Sequence, residues 1–290
     1  MTPTHTPYDG SAKPFTIGLK PLDLARWLEV DRHRDAYLAE KRRLYADMPG
    51  KVFVAEAGTQ AAQQEVLELI AGHLQKYLPK LAADTPTAGP PLRAASLLVQ
   101  EDLVLMRRGE DGWRLAAASL CFPSAWSLEE KFGRPLQDIH TPVPGFGRGT
   151  RTADVIHRIF DNLAVELPVE RLNWSLQAGG DLYQPLSNEA RMDRAQARPQ
   201  RFPGADVAAS AFIRVERQTL RKLPVSGDIL FTIRIHLDPM PVLERHAERV
   251  TLAASFAAQL AALDTAQLDY KGLAADRDRL VARLTAMATS

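Results

Sequence analysis

Cysteine is almost missing from this chain, because Cys121 is the only one in 290 residues. A single thiol cannot form a disulfide within the chain, and it cannot supply the several thiolates that an iron–sulfur cluster or a structural zinc site requires. Any metal or prosthetic group bound here must therefore rely on other ligands. The compartment stays open on this evidence, with a reducing cytoplasm favoured.

An excess of charge and a long apolar run are also missing. The 36 basic and 35 acidic residues leave a formal net charge of +1, which removes any global electrostatic argument for binding nucleic acid or a membrane surface. The longest weakly polar stretch, 252–263, is too short to span a bilayer. The first residues carry no secretory signal pattern. We expect a cytoplasmic protein without a nucleic-acid or membrane partner.

Several catalytic motifs are absent as well, among them the zinc metalloprotease helix, the nucleophile elbow and the Walker loop. The glycine-rich run 145–149 lies before a predicted helix, as in dinucleotide-binding loops, but it follows Pro-Val-Pro and not a strand. A weaker interpretation remains, in which Arg148, Arg151 and the helix N-terminus bind an anion. A solvated basic loop explains the same residues.

Apolar periodicity divides the chain into helical ends and a central region of strands. Its length would fill two domains of roughly 150 residues, or one α+β domain with helical additions. Period-two runs around glycine-containing turns predict two hairpins. The predicted elements are helices at 22–43, 60–78 and 150–165, strands at 97–106, 113–122, 171–177, 211–220 and 228–237, and two C-terminal helices after 242 with a break at 269–272.

Two other segments have little apolar periodicity and are predicted to be loops. Residues 83–91 form a connector, and residues 188–203, with four arginines and few acids, form an exposed basic loop. The fold class is therefore α+β, with helices, a mostly antiparallel sheet and further helices. We expect an N-terminal tail and helical region at 1–91, a sheet core at 92–239 and C-terminal helices at 240–290.

Two of the seven histidines are of interest because one imidazole can hold a heme iron without any cysteine. On a helical wheel of about 100° per residue, His157 points about 130° away from the apolar stripe of its helix, which favours a solvent-facing side chain. His140 lies in the stiff, proline-containing segment 138–144. A ligand and a structural histidine in a turn are both consistent with that position.

The second hairpin carries charged residues on both faces of one strand. Arg217 shares a face with Ile213 and Val215, while Glu216 shares the other face with Arg214. Whichever face is buried takes a charge with it, and a buried charge needs a partner. An internal Arg–Glu pair and a role facing a ligand both remain open.

Three motifs occur in a fixed order along the chain. They are Cys-Phe-Pro-Ser-Ala-Trp at 121–126, which continues through 130–136 to Ile-His-Thr-Pro-Val-Pro-Gly-Phe at 139–146, then Arg-Leu-Asn-Trp-Ser-Leu at 171–176, and Arg-Val-Glu-Arg-Gln-Thr-Leu at 214–220 with Leu-Pro at 223–224. In order and spacing they closely resemble the heme-dependent oxidative N-demethylase family. The similarity extends more weakly from 14 to about 239.

This resemblance implies a PAS-like antiparallel sheet that binds heme b within residues 92–239. It implies a monooxygenase that hydroxylates an N-methyl group of a small methylated amine, such as dimethylamine, with O2. The carbinolamine then gives the demethylated amine and formaldehyde. In the family the electrons come from NADPH through FMN and an iron–sulfur cluster on partner subunits. The alternative is a heme-binding PAS sensor or redox module without catalysis, because fold alone does not give function.

The resemblance also suggests roles for individual residues. The histidine of His-x-Pro-Val-Pro is His140, which we expect to be the proximal iron ligand, with His157 as the second candidate because PAS heme ligands can lie on the flanking helix. Chemistry suggests the remaining roles. The candidate propionate partners are Arg217, Arg148 and Arg151, the candidate amine-binding group is Glu216, and the candidate pocket walls are Trp126 and Trp174. The C-terminal helices are expected to contact partner subunits.

Overall fold

The framework of the molecule is an antiparallel β-sheet, seen in a computed structural model that describes residues 2–81 and 89–289. The strands in these residues are β1 Lys20–Pro21, β2 Phe53–Ala55, β3 Asp102–Gly109, β4 Gly112–Ser119, β5 Val169–Ala178, β6 Ala211–Lys222 and β7 Ile229–Pro239. They form one seven-stranded sheet in the order β1-β5-β6-β7-β3-β4-β2, with every neighbouring pair antiparallel. The fold class is therefore α+β.

Helices precede, interrupt and follow the strands. Within the described residues they are α1 Arg34–Asp47, α2 Pro49–Val52, α3 Gln60–Tyr77, α4 Pro91–Ser96, α5 Leu128–Lys131, α6 Leu136–Ile139, α7 Arg151–Asn162, α8 Asn188–Ala197, α9 Arg249–Ala261, α10 Thr265–Lys271 and α11 Arg277–Thr289. Side-chain caps explain where several of them begin. Thr150 and Ser187 accept the backbone N–H three residues ahead, and Asp264 forms a capping box with Gln267. No helix in this part of the chain is long and apolar enough to cross a membrane.

Both faces of the sheet are covered. On one face, here called the helix face, Trp174, Ile213 and Val215 pack in a core with residues of α9 and α11. On the other, here called the cavity face, residues of β3 and β4 pack in a core with residues of α7. Successive strand residues point to opposite faces, so β6 supplies alternate side chains to each of these two cores.

A buried carboxylate fixes the chain where it leaves β4. Asp102 is fully buried, and its two oxygens accept the backbone N–H groups of Cys121 and Phe122, each at 2.8 Å. Arg214 on β6 donates to the carbonyl of Phe122 at 2.5 Å. Burial raises the pKa of Asp102 to about 6, against the lowering effects of Lys41 and the two N–H groups. The segment that follows β4 is thereby held against the cavity face.

Most of the predicted elements are confirmed. Both hairpins, the helices at 60–78 and 150–165 and the strand at 171–177 are present with shifted ends. The break near 269–272 is also confirmed, because Gly272 adopts φ +66 and ends α10. Three C-terminal helices follow residue 248, and not two. Most of the connector predicted at 83–91 lies outside the described residues.

The helix predicted from residue 22 is wrong in its first part. Leu24–Arg26 form only a short 3-10 turn, and α1 begins at Arg34. The backbone N–H groups of Glu29 and Asp31 donate to the side chains of Glu101 and Gln100, at 2.9 and 3.2 Å. These tertiary hydrogen bonds replace the bonds that a helix would make, so residues 27–33 bridge to the sheet.

The exposed basic loop predicted at 188–203 is also wrong. Residues 188–197 form α8, which Ser187 caps and which ends at Arg198 in the left-handed conformation, φ 43. Arg191 is buried, and the guanidinium of Arg194 lies so close to Gly272 that a Cβ there would stand 2.7 Å from it. Other elements of the fold supply the packing partners of these arginines. The sequence around them therefore shows no apolar periodicity.

Candidate functional site

A cavity of about 690 Å³ lies on the cavity face of the sheet. Its volume is within the range of roughly 300–1,000 Å³ typical of ligand and cofactor pockets. Strands β3 to β7, helix α7 and the segment 124–146 supply most of its wall. The N-terminal segment adds Phe15, Ile17 and Leu19, and the end of α10 adds Tyr270 and Lys271. Both helical ends of the chain therefore complete a site built on the central sheet.

One part of the cavity is apolar. Side chains of β3, β4, β6 and β7 meet those of α7 and the loop before it, and they offer flat hydrocarbon surface without hydrogen-bonding groups. These residues are Val104, Met106, Leu115, Leu220, Phe231, Ile233, Val143, Phe146, Ile156 and Phe160. Such a wall suits a planar, largely apolar ligand, because burying that ligand removes apolar surface from water.

The polar part of the cavity lies on β5 and β6. Asn173, Ser175 and Gln177 alternate on β5, and Glu216 and Gln218 alternate on β6. The Gln218 amide donates to the carboxylate of Glu216 at 3.0 Å, and Nε of Arg214 lies 3.6 Å from the same carboxylate. Glu216 is thus a partly buried acid that is held in place and open to the cavity.

His140 is at the end of α6, on the wall between the large cavity and a second cavity of about 380 Å³. Its ring is 6.2 Å from that of Phe146, in an edge-to-face arrangement. Within the described residues, neither ring nitrogen has a hydrogen-bond partner. Burial lowers the pKa of His140 to about 4, with further lowering by Lys131 and Arg171. The imidazole is therefore neutral at physiological pH, which is the form that ligates metals.

Positive charge dominates the polar side of the cavity. Five basic side chains line it, Lys131, Arg171, Arg194, Arg201 and Lys271, against two carboxylates, Asp181 and Glu216. Burial lowers the pKa values of both lysines to about 8 and that of Arg194 to about 10. Burying this much like charge is costly without anions, so the cavity is suited to a ligand that carries negative groups.

Arg171 is a specific candidate for binding a negative group of such a ligand. Its Nε is buried without a hydrogen-bond partner, and its guanidinium forms no hydrogen bond or ion pair with any described residue. Nε of Arg194 is likewise buried and unpartnered, although its Nη2 donates to the carbonyl of Tyr270 at 2.9 Å. Four other arginines among the described residues have a buried Nε without a partner, but none of them lines the cavity. Arg171 and Arg194 do line it, and such donors fit carboxylate groups of a bound ligand.

The cavity brings together three of the residues expected from the sequence. His140, Glu216 and Trp126 all line it. The Trp126 ring lies beside Nζ of Lys131, 4.7 Å from its centroid. The preceding residue, Ala125, has a positive φ of 59, which is uncommon for a residue other than glycine. The chain turns at Ala125.

Two other expected residues lie on the helix face and not in the cavity. Arg217 is buried against Glu170, with Nε to Oε2 at 2.7 Å, and donates to the carbonyl of Trp27 at 2.9 Å. Trp174 packs in the helix-face core and donates to Gln259 at 2.9 Å. Side chains alternate between the two faces along β5 and β6, so Arg217 and Trp174 lie on the face that does not carry Glu216.

The remaining expected residues are near the cavity but outside its wall. Arg148 is exposed and pairs with Asp138 at 2.9 Å, and Arg151 is exposed at the start of α7. His157 lines only the second cavity. Its side chain is 44% exposed and 3.3 Å from Asp161. Its imidazole is therefore already engaged at the surface.

Sequence reasoning missed several residues of the cavity. Arg171 opens the second motif, yet its side chain was given no role there. Arg194 and Arg201 belong to the segment that was expected to be an exposed loop, and Lys271 to the helix break. The excess of arginine at 188–203 was the available signal, because a basic segment without acidic partners predicts an anion nearby.

The chain belongs to the family described as haem-dependent oxidative N-demethylase, alpha subunit-like, whose model matches residues 18–281. The match includes all seven strands of the described sheet, and it includes α10 with its cavity residues. The family description supports a heme protein of the oxidoreductase class and implies other subunits. The residues present fit that group, since an apolar wall, one neutral imidazole and unpartnered arginines match the macrocycle, the iron and the propionates.

The titration of His140 tests this view of the site. We expect the imidazole in the heme-free protein to titrate near pH 4, and not near the ordinary 6.5. Because the unfolded chain then takes up the proton first, His140 lowers the free energy of unfolding progressively as the pH falls from about 6.5 to about 4.

The titration can be followed by NMR, with the resonance identified by its loss in His140→Gln. That variant should also lose the corresponding part of the decline in stability, measured by denaturant unfolding at several pH values. A resonance that titrates at the ordinary value would contradict the buried, neutral state.

Proposed function

We propose that this chain is the heme-binding, catalytic subunit of an oxidative N-demethylase that acts on a small methylated amine. The observation that carries the proposal is the neutral, unbonded imidazole of His140 on the wall of a cavity with unpartnered arginines. The family match supports heme-dependent demethylation. The antiparallel sheet with its cavity on one face is consistent with a PAS-like core at 92–239.

Heme b would be held at both its centre and its edge. His140 would ligate the iron, and it is favoured over His157 because Asp161 and Arg108 already engage the second imidazole. Arg171 and Arg194 would pair with the propionate carboxylates, where charge-assisted hydrogen bonds satisfy their buried Nε groups. When bound, heme supplies the one-electron chemistry that allows O2 to oxidise a methyl C–H bond.

Glu216 would bind and orient the amine. A protonated alkylamine is a cation, and this carboxylate lines the cavity, with Nε of Arg214 at 3.6 Å. Gln218 fixes its orientation, and Trp126 closes the wall near Lys131. Glu216 is partly buried, and limited contact with water strengthens an ion pair.

The overall reaction requires two electrons from a source outside this chain. The methylated amine, O2, two electrons and two protons give a carbinolamine and water, and the carbinolamine releases formaldehyde and the demethylated amine. The chain offers no dinucleotide loop and one cysteine. We therefore assign NADPH, FMN and the iron–sulfur cluster to reductase subunits, which deliver electrons to this one.

The ligand assignment predicts a spectroscopic result. Substituting His140 with Ala should abolish or strongly alter the Soret absorption of the purified protein, because it removes the iron ligand. The matched variant His157→Ala should leave the spectrum nearly unchanged. Absorption spectra of both proteins after heme reconstitution measure this. The reverse pattern would assign the iron to His157.

The proposed contact between Arg171 and a heme propionate can be tested separately. Arg171→Gln should weaken heme binding by about tenfold, the effect of losing roughly 1.5 kcal/mol from a charge-assisted hydrogen bond. Arg148→Gln is the control, because that arginine is exposed and already paired with Asp138. Transfer of heme to an excess of apomyoglobin gives the dissociation rates. Equal rates in the two variants would exclude Arg171 as a propionate partner.

The proposed catalytic activity predicts that formaldehyde is released. With a competent reductase, the heme-loaded protein should convert dimethylamine or another methylated amine to formaldehyde, and Glu216→Gln should raise the KM for the amine by about tenfold through loss of the charged partner. Glu189→Gln, on the exposed side of α8, is the control.

A normal heme spectrum without any formaldehyde would favour the alternative, a non-catalytic heme sensor or redox module. A chain that takes up no heme at all would exclude both functions.

A further inference from the structure

A second cluster of ligand-type side chains lies on the helix face of the sheet, away from the cavity. His236 is on β7, Glu29 is in the extended segment before α1, and His5 is in the N-terminal tail. One nitrogen of each histidine and the carboxylate oxygens lie within 4.8 Å of one another. We propose that His5, Glu29 and His236 bind a divalent transition-metal ion of the zinc class, which fastens the N-terminal tail to the sheet.

The distances are those of a nearly assembled site. Nε2 of His5 is 3.0 and 2.9 Å from the two oxygens of Glu29, and Nε2 of His236 is 2.9 Å from Oε2. Ligands of a tetrahedral ion, bound at about 2.0 Å, stand roughly 3.3 Å apart. Both histidine–carboxylate separations are only slightly shorter than this, so small movements of the side chains would admit the ion.

Both rings present the same nitrogen to the carboxylate. Those of His5 and His236 are 5.0 Å apart between centroids and nearly perpendicular, at 74°. Both present Nε2 to the same carboxylate. Two imidazoles and one carboxylate form a donor set that zinc and ferrous iron both accept, with the remaining coordination positions left to water.

Electrostatics leave a place for an added cation. Arg217 is 3.4 Å from Glu29, but it contacts Glu170 more closely, at 2.7 Å through Nε. One guanidinium is thus shared between two carboxylates. His5 and His236 each hydrogen-bond to the Glu29 carboxylate, so the three donor groups already converge on one point. A carboxylate and two imidazoles bind such an ion in their unprotonated forms.

The site has both a rigid base and a way in. The side chain of His236 is only 6% exposed, whereas those of His5 and Glu29 are 14% and 15% exposed. The backbone N–H of Glu29 is fixed by Glu101 at 2.9 Å. The tail is the movable part, so an ion can enter beside His5.

The consequence concerns the tail. Beyond His5 it stacks Tyr8 on Phe256 of α9, with ring centroids 4.4 Å apart, and then reaches the cavity through Phe15. A metal ion at His5 would hold the start of this segment in place. Loss of the ion would release the N-terminal segment, which supplies one wall of the cavity.

Metal content tests the proposal. The full chain, heme-loaded where heme is taken up, is dialysed against Zn2+ and then against buffer, and bound zinc is measured by mass spectrometry and titration calorimetry. We expect about one equivalent per chain. His5→Gln and Glu29→Gln should each weaken zinc binding by at least about 100-fold, because loss of an outer-shell partner alone costs roughly 10- to 100-fold. His246→Gln should retain it.

A second readout reports on the tail. Zinc should slow amide hydrogen exchange across residues 5–15 in the wild-type chain but not in His5→Gln, where the tail lacks its ligand. His5→Gln alters only a tail residue, so a folded variant is available even if Glu29→Gln fails to fold. A wild-type chain without bound zinc, or equal zinc in His5→Gln, would overturn the proposal and leave a purely hydrogen-bonded clasp.

Discussion

The two-residue period of β6, in a sheet that is covered on both faces, is the constraint on which the rest of the structure depends. It sends Glu216 and Gln218 into the cavity and Val215 and Arg217 into the opposite core. A register shift of one residue would exchange the two sets, bury apolar side chains in the polar wall and leave carboxylates among α9 and α11. The same period on β5 separates Ser175 from Trp174.

The cavity depends next on how the chain leaves β4. Asp102 holds the backbone of residues 121 and 122, so that the loop and short helices which follow are built from a fixed starting point. His140 lies at the end of the second of those helices. Its low pKa follows from burial and from two neighbouring cations, and the same cations make the cavity receptive to carboxylates. One electrostatic environment therefore lowers the pKa of His140 and favours carboxylates in the cavity.

The ends of the chain are parts of the site and not appendages. Phe15 comes from the tail, and Lys271 comes from α10, yet both reach the cavity and meet one another, with the lysine 5.0 Å from the ring. The histidine and carboxylate cluster on the helix face lies at the beginning of that tail. Interactions on one face of the sheet can thus influence the wall of a cavity on the other through continuous chain.

Local pattern was sufficient to predict the hairpins and the helices at 60–78 and 150–165, because period and turn chemistry are properties of neighbouring residues. It also drew attention to His140 and Glu216, which both line the cavity. Three contiguous motifs were sufficient to indicate the family. The same information could not place Arg217 and Trp174, since a strand pattern with charges on both faces does not say which face meets the cavity. That choice follows from which helices cover each face.

The sequence by itself determined the alternation of the strands, the scarcity of thiol ligands and the order of the motifs. Only the tertiary structure decided that Arg171, Arg194 and Lys271 share one cavity, because residues separated by dozens of positions meet through packing. It also decided that residues 27–33 bridge to the sheet and do not continue a helix. In each case the deciding contact was a long-range hydrogen bond or a buried charge, whose partner no local pattern contains.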